Sequence, residues 1–203
     1  NTLVITLFAI IISFFLGSLI AIVRTTHDRT GRYIVLNALC KFYLVIIRGT
    51  PTMVQLLIIY YVIFAAADVS KVLVAIVAFG INSSAYLAEV VRSGIMSIDR
   101  GQSEAGRSLG LSYSQTMRLI ILPQAFKNVL PAIGNELITL LKETSISGYI
   151  GLVDLTKGSD IIRSITYDAM LPLGVVALIY LAIVLSLSSA VGTLEKKLRK
   201  NER

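Results

Sequence analysis

From Thr2 to Val23 the chain carries no charged residue. These 22 residues exceed the roughly 20 that an α-helix needs to cross the hydrocarbon core of a bilayer. Gly49–Ala67, Val72–Ala88 and Ala169–Leu194 are further uncharged runs of 19, 17 and 26 residues. A soluble domain would have to bury all of them. Charged residues are only 15% of the 203, against about 25% in soluble domains, so too little polar surface exists to cover such a core. The excess apolar surface must face lipid. The class expected is an all-α integral membrane protein, with residues 1–203 forming a single transmembrane domain.

Charge distribution orients the spans. Arg24–Arg32 carries three Arg against Asp28, Arg92–Lys127 five positive residues against Asp99 and Glu104, and Glu195–Arg203 five more. Excess Lys and Arg marks the cytoplasmic side. The N-terminus is therefore expected outside and the C-terminus inside. The net charge of +7 sits beside apolar spans rather than along one face, which argues against nucleic acid. One cysteine, Cys40, excludes an internal disulfide, and a single His27 cannot make a metal site. No cleavable signal pattern is present. The first residue is Asn1 rather than Met, so a short N-terminal piece is expected to be absent.

Five spans satisfy these constraints. Thr2–Val23 runs inward and ends in the Arg24–Arg32 loop. Tyr33–Ala67 is broken by Lys41, Arg48 and Gly49-Thr50-Pro51, which predicts an interfacial helix to about Ile47 and then a second, outward span. Asp68–Lys71 is an outer turn and Val72–Ala88 the inward third span. Asn128–Ile150 is the fourth, although Pro131, Gly134, Asn135, Glu136, Lys142 and Glu143 lie within it. Lipid penalises such groups, so this segment must lie inside an assembly. Gly151–Asp168 suits an outer loop with a short helix, and Ala169–Leu194 is the last span.

Between the third and fourth spans the chain reads DRGQSEAGRSLGLSYSQTMRLIILP, Asp99–Pro123. Asp99 is placed to cap a helix with Gln102 as its third residue. Gly110 can take the left-handed conformation that stops it. Ser112 with Gln115 starts a second helix, which Pro123 is expected to interrupt. A helical hairpin results. Glu104-Ala105, Gly110, and Ile120, Leu122 and Pro123 have the spacing of the EAA loop of bacterial ATP-binding cassette importer permeases, which this chain resembles. Gly106 stands where that motif usually has a second Ala. Arg48-Gly49-Thr50-Pro51 resembles the Arg-Gly-Thr-Pro signature of the polar amino-acid branch, and Lys142-Glu143-Thr144-Ser145 its Lys-Asp-Thr-Ser element.

The resemblance, which covers nearly the whole chain, implies a five-helix permease core with a cytoplasmic coupling helix at about residues 96–123. Glu104, Ala105, Arg107 and Gly110 would meet the ATPase. It also implies a dimer of ATPase subunits, a second permease chain, identical or homologous, and an extracytoplasmic amino-acid-binding protein. No Gly-x-x-x-x-Gly-Lys-Ser/Thr pattern occurs here, so ATP would be used by a partner and no cofactor is expected in this chain. A free amino acid has an ammonium and a carboxylate. Glu143 can serve the first. Thr144, Ser145, Ser147 and the N–H groups of a helix broken near Gly148 or Gly151 can serve the second. Thr52, Gln55, Asn82 and Tyr86 would complete the wall, with Asp160 above it. Ser83 and Ser84 are read as packing residues. The acidic bias points to arginine, lysine, histidine or glutamine. A channel built on the charged fourth span is the alternative; an intramembrane enzyme lacks a nucleophile–base set.

Overall fold

A computed structural model describes residues 1–200, with side chains through residue 198. Within Glu195–Arg203, residues 201–203 lie outside the described part. The elements are helical throughout: α1 (Thr2–Thr30), α2 (Ile34–Gly49), α3 (Thr52–Ile58) running into a wide π-helical turn (Ile59–Ile63), α4 (Lys71–Met96), α5 (Arg100–Ser108), α6 (Tyr113–Thr116) running into a second π-turn (Met117–Ile121), α7 (Leu122–Glu143), a 3₁₀ segment (Thr144–Ile150), α8 (Leu155–Thr166) and α9 (Met170–Lys200). α1, α4 and α9 are long and apolar enough to cross a membrane, and the bent pair α2–α3 makes a fourth if counted as one span. α7 falls short by composition, as its Glu136, Lys142 and Glu143 foretell.

α1 and α4 pack along their length. Small residues on both sides, Ala9, Ser13 and Gly17 against Gly80, Ser84 and Ala88, are buried and let the backbones approach. A methyl at Gly17 would lie 2.9 Å from the Ser84 carbonyl oxygen. Ser13 Oγ donates to Ala9 O at 2.8 Å and to Gly80 O at 3.1 Å, which ties the two helices. Around this pair Ile5, Leu56, Phe79, Leu140 and Ile150 form the main apolar core. The outer faces of α1, α2 and α9 stay apolar and exposed, with Phe15, Phe42 and Leu178 each about two-thirds exposed, as lipid-facing helices require.

Two boundaries differ from the sequence reading. α1 does not stop at Val23. It runs on to Thr30 and ends at Gly31, whose φ is +70°. At 1.5 Å per residue a helix of 29 residues is longer than the roughly 30 Å apolar core, so its last turns project beyond it. Ion pairs hold that projection: Arg24 to Glu89, and Arg92 of α4 to both Glu89 and Asp28. The second difference is Pro123, which does not interrupt the helix. The π-turn Met117–Ile121 precedes it, Pro123 falls in the first turn of α7, and the chain stays helical through Glu143. The wide turn just before it relieves the clash that a Pro ring would make with the preceding carbonyls of a regular α-helix.

α2 and α3 meet at 107°. The bend leaves carbonyls without helical partners, and Gln55 takes them. Its Nε2 donates to Ile47 O (2.7 Å), Thr50 O (3.1 Å) and Thr50 Oγ1 (2.6 Å). Its Oε1 accepts from Asn82 Nδ2 of α4 at 2.8 Å. Replacing Gln55 with Leu should therefore lower the unfolding temperature of the detergent-solubilised protein, because each buried group left unpaired costs about 1–3 kcal/mol. Gln55→Glu, which keeps the acceptor for Asn82 but sets a carboxylate oxygen against the Ile47 and Thr50 oxygens, should lose at least as much.

Candidate functional site

Two polar regions stand out from this apolar frame. The first lies where α4 meets α7. Asn82, Ser83 and Ser84 are buried on α4. Ser83 Oγ donates to Glu136 Oε1 of α7 at 2.8 Å, so a carboxylate inside the bundle is met by a hydroxyl. Glu136 and Glu143 are two helical turns apart and share one face of α7. Both are partly buried, whereas Lys142 is exposed. The neighbouring Lys and Glu therefore point different ways, as adjacent helical residues should. Among the described residues no cation lies within ion-pair distance of either carboxylate.

After Glu143 the α-helix gives way to the 3₁₀ segment, which closes at Gly151 with φ +73°. The break thus begins at Thr144, a few residues before the glycines. Thr144 and Ser147 are fully buried and Ser145 partly so. Thr144 Oγ1 donates to Leu141 O at 2.7 Å; Ser147 Oγ has no protein partner. Asn82 presents an equally unpartnered Oδ1, because its amide nitrogen is given to Gln55.

The remaining expected residues are dispersed. Tyr86 is covered by the Arg48 guanidinium, 5.5 Å from the ring centre, a cation–π arrangement. Thr52 opens α3 and is half-buried. Ser84 is shared with Tyr43 of α2, whose hydroxyl lies 2.6 Å from it, in keeping with a packing role. Asp160 sits on α8 between Lys157, at 2.9 Å, and Arg163. Hydrogen bonds from Lys157 and then Arg163 hold its carboxyl below the usual carboxylate range, and its charge is already balanced within α8. Ser83 and Glu136 are the partners the sequence reading did not join. The signal was present, a carboxylate within a span, but its partner lies 53 residues away.

The second region is the hairpin α5–α6. Asp99 caps α5 as expected, although its Oδ1 accepts from Gly101 N at 2.7 Å rather than from Gln102. Ser112 and Gln115 form the reciprocal capping box. Gly110 has φ +80°, and Leu111 N closes the turn on Gly106 O at 3.1 Å. Glu104, Ala105 and Arg107 are exposed on α5. Arg29, from the projecting end of α1, donates to Ser103 Oγ at 2.9 Å. Beneath it a cavity of about 540 Å³ is lined by Arg29, Arg100, Ser103, Glu104, Arg107 and Tyr113 among others.

Helices that project from an apolar bundle, a polar face inside it with two carboxyl groups in no ion pair among the described residues, and a charged hairpin at one end fit a membrane transport component. The family described as binding-protein-dependent transport system inner membrane component matches residues 13–200, and the chain belongs to it. It is a multi-pass membrane protein and not an enzyme. The arginine transport system permease protein ArtQ of Bacillus subtilis is 38% identical over 203 residues, covering 99% of this chain and 90% of that one. The putative glutamine transport system permease protein GlnP of Rickettsia typhi is 36% identical over 98% of this chain and 90% of its own length. A crystal structure of an amino acid ABC transporter with histidines matches 97% of this chain and 90% of that one at TM-score 0.88 and 39% identity. Inward-facing MetNI methionine transporter, at 22% identity and TM-score 0.82 over 97% of this chain and 92% of that one, shares the fold.

The Ser83–Glu136 bond gives a direct test of the site's architecture. Ser83→Val should lower thermal stability by about 1–3 kcal/mol, the cost of leaving a buried acceptor without its donor. Ser83→Thr, which keeps the hydroxyl, should stay near the parent protein.

Proposed function

We propose that this chain is the permease subunit of an ATP-driven importer for a polar, cationic amino acid, working by alternating access. α7 completes the set as a fifth span, packed against α1, α4 and α9 and partly buried by them. The residues matched by the family, the relatives' names and the histidine-containing structure support an amino-acid cargo. The observation that carries the cationic preference is the pair Glu136 and Glu143, partly buried with no cation within ion-pair distance among the described residues. A carboxylate held in low-dielectric surroundings must be paired or neutral, and a cargo ammonium or guanidinium would pair it.

In this reading Thr144, Ser145, Ser147 and Asn82 serve the cargo's carboxylate and backbone polar groups, with Thr52, Gln55 and Tyr86 behind them. Gln55 acts by fixing Asn82. Asp160 lies at the outer mouth and contributes little net attraction, since Lys157 and Arg163 already balance it. α5 is the coupling helix, presenting Glu104, Ala105, Arg107 and Gly110 to an ATPase dimer. A second permease chain, identical or homologous, and an extracytoplasmic binding protein complete the complex. ATP binding and hydrolysis on the partner move α5, and the helices that hold the carboxylates open in turn to either side.

Reconstitution with the ATPase and binding protein tests the cargo assignment. Glu136→Gln should cut ATP-dependent arginine uptake at least about tenfold, the equivalent of roughly 1.5 kcal/mol from one charge-assisted hydrogen bond, while the ATPase still co-purifies. Uptake equal to the parent's would remove Glu136 from the cargo path, and arginine flux without the ATPase would mark a channel instead.

Orientation is tested separately. With Cys40 replaced by Ser, a cysteine at Asp68 or Ser164 should react with a membrane-impermeant maleimide in sealed cells, and one at Ser108 should react only after permeabilisation. The reverse pattern would invert the topology.

A further inference from the structure

α5 is buried on one side at Gly106, and the space a side chain would occupy there is already full. A Cβ built on Gly106 would lie 2.7 Å from Thr116 Cγ2, 2.8 Å from Thr116 Oγ1 and 3.1 Å from Ile120 Cδ1. Thr116 is only 4% exposed. Both its branches crowd the same point. Of the three staggered χ1 wells, each leaves at least one heavy branch facing Gly106, since only one of the two facing positions can hold the hydrogen. Rotation therefore does not relieve the contact. The Thr116 hydroxyl has no hydrogen-bond partner, so its polarity does nothing here that a methyl would not. What Thr116 supplies is shape.

The placement gives that shape a use. Thr116 is the last residue of α6, directly before the π-turn Met117–Ile121 that leads unbroken into α7. Ile121, Ala125, Ile95 and Ile98 pack that turn against the end of α4. Gly106 lies on α5, whose other face carries Glu104, Ala105 and Arg107. The Gly106–Thr116 contact is therefore a bearing point between the exposed coupling helix and the rod that ends in Glu136 and Glu143. We infer that Thr116 is a positioning residue: its side chain seats against the bare backbone at Gly106, sets the distance from α5 to the π-turn and α7, and passes movement of α5 to the cargo-facing helix. This rests on the reading of α5 as the ATPase-docking element. The side-chain volume that an Ala at position 106 would provide is supplied from position 116, so the two positions act as one size-matched pair.

Reciprocal substitution in the reconstituted transporter tests this. The readout is cargo taken up per ATP hydrolysed, measured on complexes with equal amounts of co-purified ATPase. Gly106→Ala should lower that ratio about fivefold or more by forcing α5 away from the π-turn. Thr116→Ala should lower it by leaving the bearing point empty. The double variant, with the methyl moved across the contact, should recover most of the ratio, and Thr116→Val should keep it, because the hydroxyl is unpartnered. A double variant no better than the worse single, an unaffected Gly106→Ala, or a loss in Thr116→Val would each overturn the inference. The underlying docking reading is checked by Glu104→Lys and Gly110→Val. If these uncouple while Gly106→Ala does not, docking stands and the bearing point falls. If neither uncouples, the docking reading itself fails.

Discussion

Apolar surroundings offer no water to a broken helix, so every carbonyl freed by a bend must find a partner within the protein. The bend between α2 and α3 makes such a demand, and one side chain meets it. Gln55 reaches back to Ile47 and Thr50 and forward to Asn82. The same amide that makes the bend tolerable thus docks it onto α4, and α4 is the helix against which both α1 and α7 are arranged. Ser13 holds α1 to Gly80, and Ser83 holds Glu136 of α7. Polar atoms are few in this interior, and each of these links two helices.

The hairpin end of the bundle is organised differently. There the helices leave the apolar zone, and charges replace hydroxyls. Arg24, Glu89, Arg92 and Asp28 alternate between α1 and α4, and Arg29 continues the line to Ser103 on α5. These pairs are partly buried, and as a network they fix the relative orientation of the two helices. α1 and α4 therefore enter the hairpin region as one unit, and α5 is joined to it through the Arg29–Ser103 hydrogen bond and by packing.

What could be read from the sequence follows the range of the interactions. The hairpin was legible because capping boxes and a left-handed glycine are local: Ser112, Gln115 and Gly110 are placed as their neighbours dictate. The uncharged spans were legible because lipid acts on composition. The end of α1 was misplaced because Arg24 and Asp28 mark where the apolar zone stops, not where the helix stops; their partners on α4 lie more than sixty positions on. Pro123 was misread as a break because a π-turn is not visible in a residue pattern. Gln55, Asn82 and Glu136 were each noticed as polar residues in apolar runs. Which of them pair depends on how α3, α4 and α7 cross, and no local rule fixes that. The balance of Asp160 by Lys157 and Arg163, at i±3 on α8, was within reach of helical spacing alone.

The π-turn at Met117–Ile121 has a consequence for the phase of everything after it. A π-turn accommodates one residue more than an α-turn, and one residue rotates a helix by about 100°. The faces of α5–α6 and of α7 are therefore locked in phase by that single surplus residue. Shorten the segment by one, and the stripe bearing Glu136 and Glu143 would swing about a quarter-turn away from Ser83, with every local helix intact. Between the charged hairpin and the carboxylates the chain keeps count, and its tolerance for change there is measured in whole residues rather than in chemical similarity.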